Sequence, residues 1–255
     1  MSSPMKSSPQ DQPLTWPLLA WLSAALAGVV APATAMLLLM QASTPSMSAF
    51  AGGPVLALGL MGTGMISAAA AGRFRVGVLF ALLTGAGLTL FAHALAMPAL
   101  PHPLSTGLVF LIASVSFAAR GALFARSALG RGWLIAVFVV AGEAAILVTA
   151  AAQPDALPDW LLALLPAQWA SMAIQASLAG TGTFAASSAL IALGGTAAAT
   201  MLVTWLWPHR WPYTVMFTVW LALSALVYHR PGPPMPYADL TSAAASSGQI
   251  NQHRF

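Results

Sequence analysis

The sequence predicts an all-α, polytopic integral membrane bundle of seven helices, or eight if one ambiguous segment also crosses. Three observations predict it. First, nine basic and five acidic side chains are spread over 255 residues, so that 5% of the chain is charged and 59% apolar, against roughly 25% and 45–50% in soluble domains. Second, several segments, residues 16–41 and 183–207 among them, exceed the roughly 18 uncharged, mostly apolar residues that read as a membrane-spanning helix. Third, the basic residues fall at the ends of apolar runs instead of in one patch, as topology signals do.

These features also exclude function classes. At 26.2 kDa nearly all of the length is taken up by spans, which leaves no stretch for a soluble catalytic or nucleotide-binding domain. The pI near 10.4 reflects an excess of only +4, so no nucleic-acid partner is expected. The expected partners are the lipid bilayer and other integral membrane subunits. The absence of cysteine removes disulfides, thiolate catalysis and thiolate metal sites. A retinal Schiff base needs a lysine within a span, and the single lysine, Lys6, lies in the N-terminal tail. Zincin, rhomboid-like and P-loop patterns are absent. The chain is not expected to be an enzyme.

Taken in order, residues 1–15 read as a cytoplasmic tail and residues 16–229 as the bundle. The first span, 16–41, is longer than the roughly 7–15 apolar residues of a secretory signal and is expected to be retained, with a kink at Pro32, whose ring removes a backbone donor. An uncharged loop, 42–53, leads to the second span, 54–71. Arg73 and Arg75 make a basic loop before the third span, 76–97. A Pro-rich link containing His102 precedes the fourth span, 104–129, which carries Arg120 and Arg126. Gly130, Arg131 and Gly132 form a tight turn into the fifth span, 133–152.

The next loop holds Asp155 and Asp159, and Pro158 with Asp159 makes a helix start. Residues 160–179 are ambiguous: Pro166 interrupts them, and Gln168, Ser171 and Gln175 share one face at helical spacing. An interfacial or half-inserted helix is expected there, with an eighth span as the alternative. Residues 183–207 are a clear span, a turn carrying Arg210 follows, and 213–228 is the last span. Residues 230–255 read as a Pro-rich, polar, disordered tail. With the N-terminus in the cytoplasm, Lys6, Arg73, Arg75, Arg126, Arg131 and Arg210 all face inward, leaving Arg230 as the exception. The expected location is the bacterial inner (cytoplasmic) membrane.

Glu143 is the sharpest candidate for chemistry, because it is the one acid inside an apolar run. A carboxylate at that depth costs roughly 2.5–3.5 kcal/mol to insert, so a partner must offset it. Arg120 lies eleven residues before Arg131 and Glu143 twelve after it, which puts both at one depth of an antiparallel hairpin, roughly 16–18 Å from the turn. The pair reads as a structural ion pair or as a proton or ion relay.

His93, His102 and His229 fall on one side of the seven-span arrangement and are weaker candidates for holding haem or a chlorin. Met36 with Met40, and Met61 with Met65, are weak candidates for Cu(I) through soft thioether ligands. Gly28, Gly59, Gly62, Gly64, Gly85, Gly142, Gly194 and Gly195 predict close helix approach. Three functions follow. The preferred one is a non-catalytic accessory or scaffold subunit of a larger inner-membrane complex. The alternative is a small secondary transporter or permease built around Glu143 and Arg120, and a pigment-, haem- or copper-binding membrane protein ranks third.

Overall fold

A computed structural model describes residues 15–42, 45–95, 102–128, 130–153, 156–179, 186–206 and 211–229. The expected tails, together with Asp155, Arg210 and Arg230, lie outside the described residues. Every regular element among those described is helical: α1 (Thr15–Ala25), α2 (Ala31–Ala42), α3 (Pro45–Ala71), α4 (Phe74–Ala94), α5 (Pro103–Ser127), α6 (Gly132–Ala152), α7 (Asp159–Ala163), α8 (Pro166–Leu178), α9 (Ser187–Trp205) and α10 (Trp211–His229). Seven stretches are long and apolar enough to cross a membrane: Thr15–Gln41, Gly52–Ala71, Phe74–Ala94, Pro103–Ser127, Gly132–Ala152, Ser187–Trp205 and Trp211–His229. The chain is a multi-pass, all-α membrane protein.

Large apolar side chains stand outside as well as in the core. Ala57, Ala68, Ala81, Ala113, Ala118 and Ala192 are fully buried beside Leu60, Phe117 and Trp169, while Leu90 (69% exposed), Leu83 (60%) and Phe138 (76%) stand outside. In water such an outer surface would be unfavourable by about 25 cal/mol per Å². Lipid tails remove that penalty, and close packing of small residues holds the helices together instead.

The central helix is α3, with 78% of its spanning window buried, followed by α5 at 61%, whereas α6 and α10 are 22% and 17% buried. The helix α3 packs against α1, α2, α4, α5, α6 and α8. That many neighbours fit around it because backbones meet directly. A Cβ added at Gly62 would lie 2.8 Å from the carbonyl carbon and oxygen of Ala27, and one at Gly59 would lie 3.1 Å from the carbonyl oxygen of Gly28.

The partner strip on the first span is a π-helical turn, Leu26–Val30, closed by the Ala31 N–H donating to the carbonyl of Leu26. Pro32 explains the turn. Its ring would clash with the carbonyl four residues back and it offers no N–H, and widening the helix by one residue relieves both problems. The expected kink is thus a local widening of the helix.

The second span begins earlier than the sequence suggested. Residues 45–53 continue α3 as helix through Pro54, where a loop was expected. Without charge or nearby cap, that stretch satisfies its backbone most simply within a helix, and one missing donor at Pro54 is tolerated in an apolar setting. Gly53 then lets α8 approach, since a Cβ there would lie 3.0 Å from the carbonyl of Ser171.

No helix within residues 160–179 is among the stretches long and apolar enough to cross. The short α7 ends at Ala163, α8 starts at Pro166, and the two make a hairpin. Ala167, Trp169, Ala170, Ala173 and Ile174 of α8 are fully buried. The tip of the hairpin lies deep: the Ala167 N–H meets Glu143, nine residues or about 14 Å from the end of α6. The far end of α8 returns to the end of the bundle where it entered, since the Thr106 hydroxyl, in the first turn of α5, lies 3.3 Å from that of Ser177. Ten residues separate Ala167 from Ser177, about 15 Å of helix, so the two depths agree. The pair α7–α8 is a re-entrant hairpin that reaches the middle of the bundle and turns back.

Replacing Gly62 by Leu is expected to cost about 1–3 kcal/mol by overpacking against Ala27. Gly142, which has open space around it, should accept Ala neutrally or gain up to about 1 kcal/mol from helix propensity. Unfolding in mixed detergent micelles measures both, and equal effects would contradict the packing described.

Candidate functional site

The tip of the hairpin is made by its sequence. Pro166 cannot continue a preceding helix but suits the first position of a new one. Leu165 caps α8 with extended backbone and no side-chain hydrogen bond, so the free N–H groups of the first turn need another acceptor. The Glu143 carboxylate supplies it from α6, with Ala167 N to Oε2 at 2.9 Å. Trp169, fully buried, pins the turn from behind by donating its indole N–H to the Ala163 carbonyl at 2.8 Å. The Leu164 and Leu165 N–H groups bond to Leu161 and Leu162, which leaves the break with few orphaned groups.

Magnitudes show why Glu143 is tolerated. Inserting a carboxylate at mid-depth costs roughly 2.5–3.5 kcal/mol. A hydrogen bond to a charged acceptor returns about 1.5–3 kcal/mol, and the positive end of a helix adds about 0.3–1 kcal/mol. The helix end alone nearly balances the cost of the charge.

Arg120 approaches from α5, which packs against α6, and its direct contacts differ from those of Glu143. Arg120 Nη2 donates to the Thr196 hydroxyl on α9 at 3.1 Å, and that hydroxyl can in turn donate to the Ala192 carbonyl at 2.8 Å. The guanidinium carbon lies 5.8 Å from the centre of the Phe117 ring, one turn earlier on its own helix. Arg120 Nη1 is buried and has no hydrogen-bond partner. The structure thus gathers α5, α6, α8 and α9 around two opposite charges, with one donor left over.

Two members of this cluster were not singled out from sequence. Thr196 is one of many hydroxyls in apolar runs, and nothing local marks it. The Ala167 N–H is a backbone group, whose only signal is the proline just before it.

The other candidates are not brought into this site. His93, His102 and His229 are exposed at helix ends, His229 with its ring 5.4 Å from that of Tyr228. No group of three or more His, Asp or Glu that could hold a metal occurs among the described residues. Met36, Met61 and Met65 are buried in the apolar core, whereas Met40 is 41% exposed, so the four do not share one enclosed setting. Asp159 is exposed in the first turn of α7 and does not cap it. The cap position belongs to Pro158.

No family model, curated protein or solved structure matches the chain. Its function therefore has to be argued from this geometry.

A double-mutant cycle tests the coupling of the two charges. Arg120→Met and Glu143→Gln are each expected to lower stability in detergent, and the double variant to lose less than the sum of the two by about 0.5–3 kcal/mol. Strict additivity would mean that the two charges are not coupled.

Proposed function

We propose that the protein is a small secondary transporter whose working site is the Glu143–Arg120 cluster beneath the α7–α8 hairpin. One observation carries this reading: a broken, re-entrant helix ends at the level of an intramembrane carboxylate, and the neighbouring α5 holds a buried arginine donor, Arg120 Nη1, without a partner. Broken helices whose ends meet a solute or coupling ion near the bilayer midplane are a recurrent transporter device. Ionisable groups at that depth are expensive, and they persist where they act on ions or protons.

The accessory-subunit reading draws its support from the outer faces of α6 and α10, which are little buried. Lipid covers such faces as readily as another subunit does. A scaffold also gains nothing from an interrupted helix or an unanswered guanidinium donor, which makes the transporter the better account of the interior. Glu143 is the coupling group in this reading, taking up and releasing a proton as Arg120 and the hairpin tip rearrange around it. A membrane orientation with Lys6 and the arginines Arg73, Arg75, Arg126 and Arg131 on the cytoplasmic side fits the positive-inside tendency.

Purified protein in proteoliposomes loaded with a pH-sensitive dye is expected to move protons when a gradient of its solute is imposed. Glu143→Gln should abolish that coupling while keeping the helical circular dichroism and monodisperse elution of the parent. Stoichiometric co-purification with other membrane subunits, together with no flux of any solute, would overturn the proposal.

A further inference from the structure

Given the transport reading above, we infer that the site carries a small monovalent anion together with a proton, and that the Glu143 carboxylate is a tethered anion holding the place between turnovers. The first turn of α8 concentrates partial positive charge at mid-depth and lacks a side-chain cap of its own. What occupies it is an acidic side chain, the Glu143 carboxyl group, which accepts from the Ala167 N–H at 2.9 Å. A second, separate feature points the same way. Arg120 Nη1 is buried with no acceptor, while Nη2 is engaged by Thr196. A guanidinium donor held without an acceptor in the apolar interior is unfavourable unless something arrives to accept from it.

Charge balance sets the stoichiometry. The elements packed on α6 are α1, α3 and α5. Of these, α1 and α3 carry no ionisable side chain, α8 at the hairpin tip carries none, and α5 contributes Arg120, with Arg126 at its far end. Arg120 and Glu143 cancel when both are ionised. When a proton from water adds to the Glu143 carboxylate, the site is left with the single positive charge of Arg120, and the neutral carboxyl holds the Ala167 N–H less strongly. One anion of charge −1 then restores neutrality by accepting from the Ala167 N–H and from Arg120 Nη1. Release of the anion returns the carboxylate to the helix end as its proton leaves. Proton and anion travel together, one to one, with no net charge moved. A cation would instead meet Arg120 and the positive helix end, and a dianion would leave an uncompensated charge in the apolar core.

Chloride and nitrate are suitable probes, because they are anions of strong acids and do not cross bilayers as neutral molecules. In proteoliposomes an inward gradient of either is expected to acidify the lumen by one proton per anion, at a rate unchanged when valinomycin and potassium clamp the voltage. Glu143→Gln, which mimics the protonated carboxyl, should still pass the anion but without accompanying proton flux, and its anion flux should become voltage-dependent. Arg120→Met should lose both fluxes. Thermal melts in detergent give a second measurement that does not require turnover: chloride or nitrate, compared with gluconate, should raise the melting temperature of Glu143→Gln at neutral pH and that of the parent only at acidic pH. Proton-coupled flux of a cationic or neutral solute, indifferent to chloride and nitrate, would overturn the anion inference while leaving the transporter standing. Absence of all flux and of any anion-dependent stabilisation would overturn both.

Discussion

The hydrogen bond from the Ala167 N–H to the Glu143 carboxylate is the contact on which the interior of this protein depends. It joins two groups that would each be unfavourable alone in an apolar bundle: an acidic side chain far from water and the open N-terminus of a helix. Remove either and the other has no reason to sit where it does. Because the two are joined, a 13-residue helix too short to cross a membrane is held at mid-depth, packed against α5, which carries Arg120. The chemistry proposed for the protein follows from that arrangement, since a carboxylate that can gain a proton is the latch on a helix end that can hold an anion.

The surroundings make the arrangement possible. A hairpin can enter the bundle only if the helices around it leave room, and they do so by dispensing with side chains at their crossings. The contact of the first span with α3, where Gly59 and Gly62 meet the backbone of the π turn, draws those helices together. The proximity of Gly53 to the Ser171 carbonyl and the Gln175 side chain lets α8 lie against the central helix. Lipid accepts the bulky side chains left outside, and inside, hydroxyls such as Thr196 and Ser177 reach across between helices.

Much of this was legible in the sequence, and for identifiable reasons. Charge depletion and run length give the class and seven spans with an eighth left open, because both reflect the cost of leaving backbone and charge unsatisfied in hydrocarbon. Arg120 and Glu143 could be brought to one depth by counting from the Gly130–Gly132 turn, because helical rise is nearly constant. Pro166 signalled a break within residues 160–179. What the sequence could not carry was the destination of that segment. Its composition suits an interface as well as an interior, and burial of α8 is decided by the glycines of α3, far away in the chain. The Ala167 N–H has no residue identity to read, and Thr196 looks like any other threonine that bonds back to its own helix. The helical start of α3 at Pro45 was hidden because Ser, Gly and Pro suggest a loop in water, whereas an apolar setting rewards the same residues for keeping their hydrogen bonds internal.

The re-entrant course of α7–α8 is the claim that carries the most weight, and the chain is well suited to testing it, having no cysteine of its own. Single cysteines at Gln153 and Ala179, both exposed at the two ends of this segment, can be labelled with a membrane-impermeant maleimide in sealed, right-side-out and inside-out vesicles. The account predicts that both react from the same face, while a cysteine at fully buried Ala170 reacts from neither. Labelling of Gln153→Cys and Ala179→Cys from opposite faces would mean that the segment crosses the membrane, and the site described at its tip would not exist in that form.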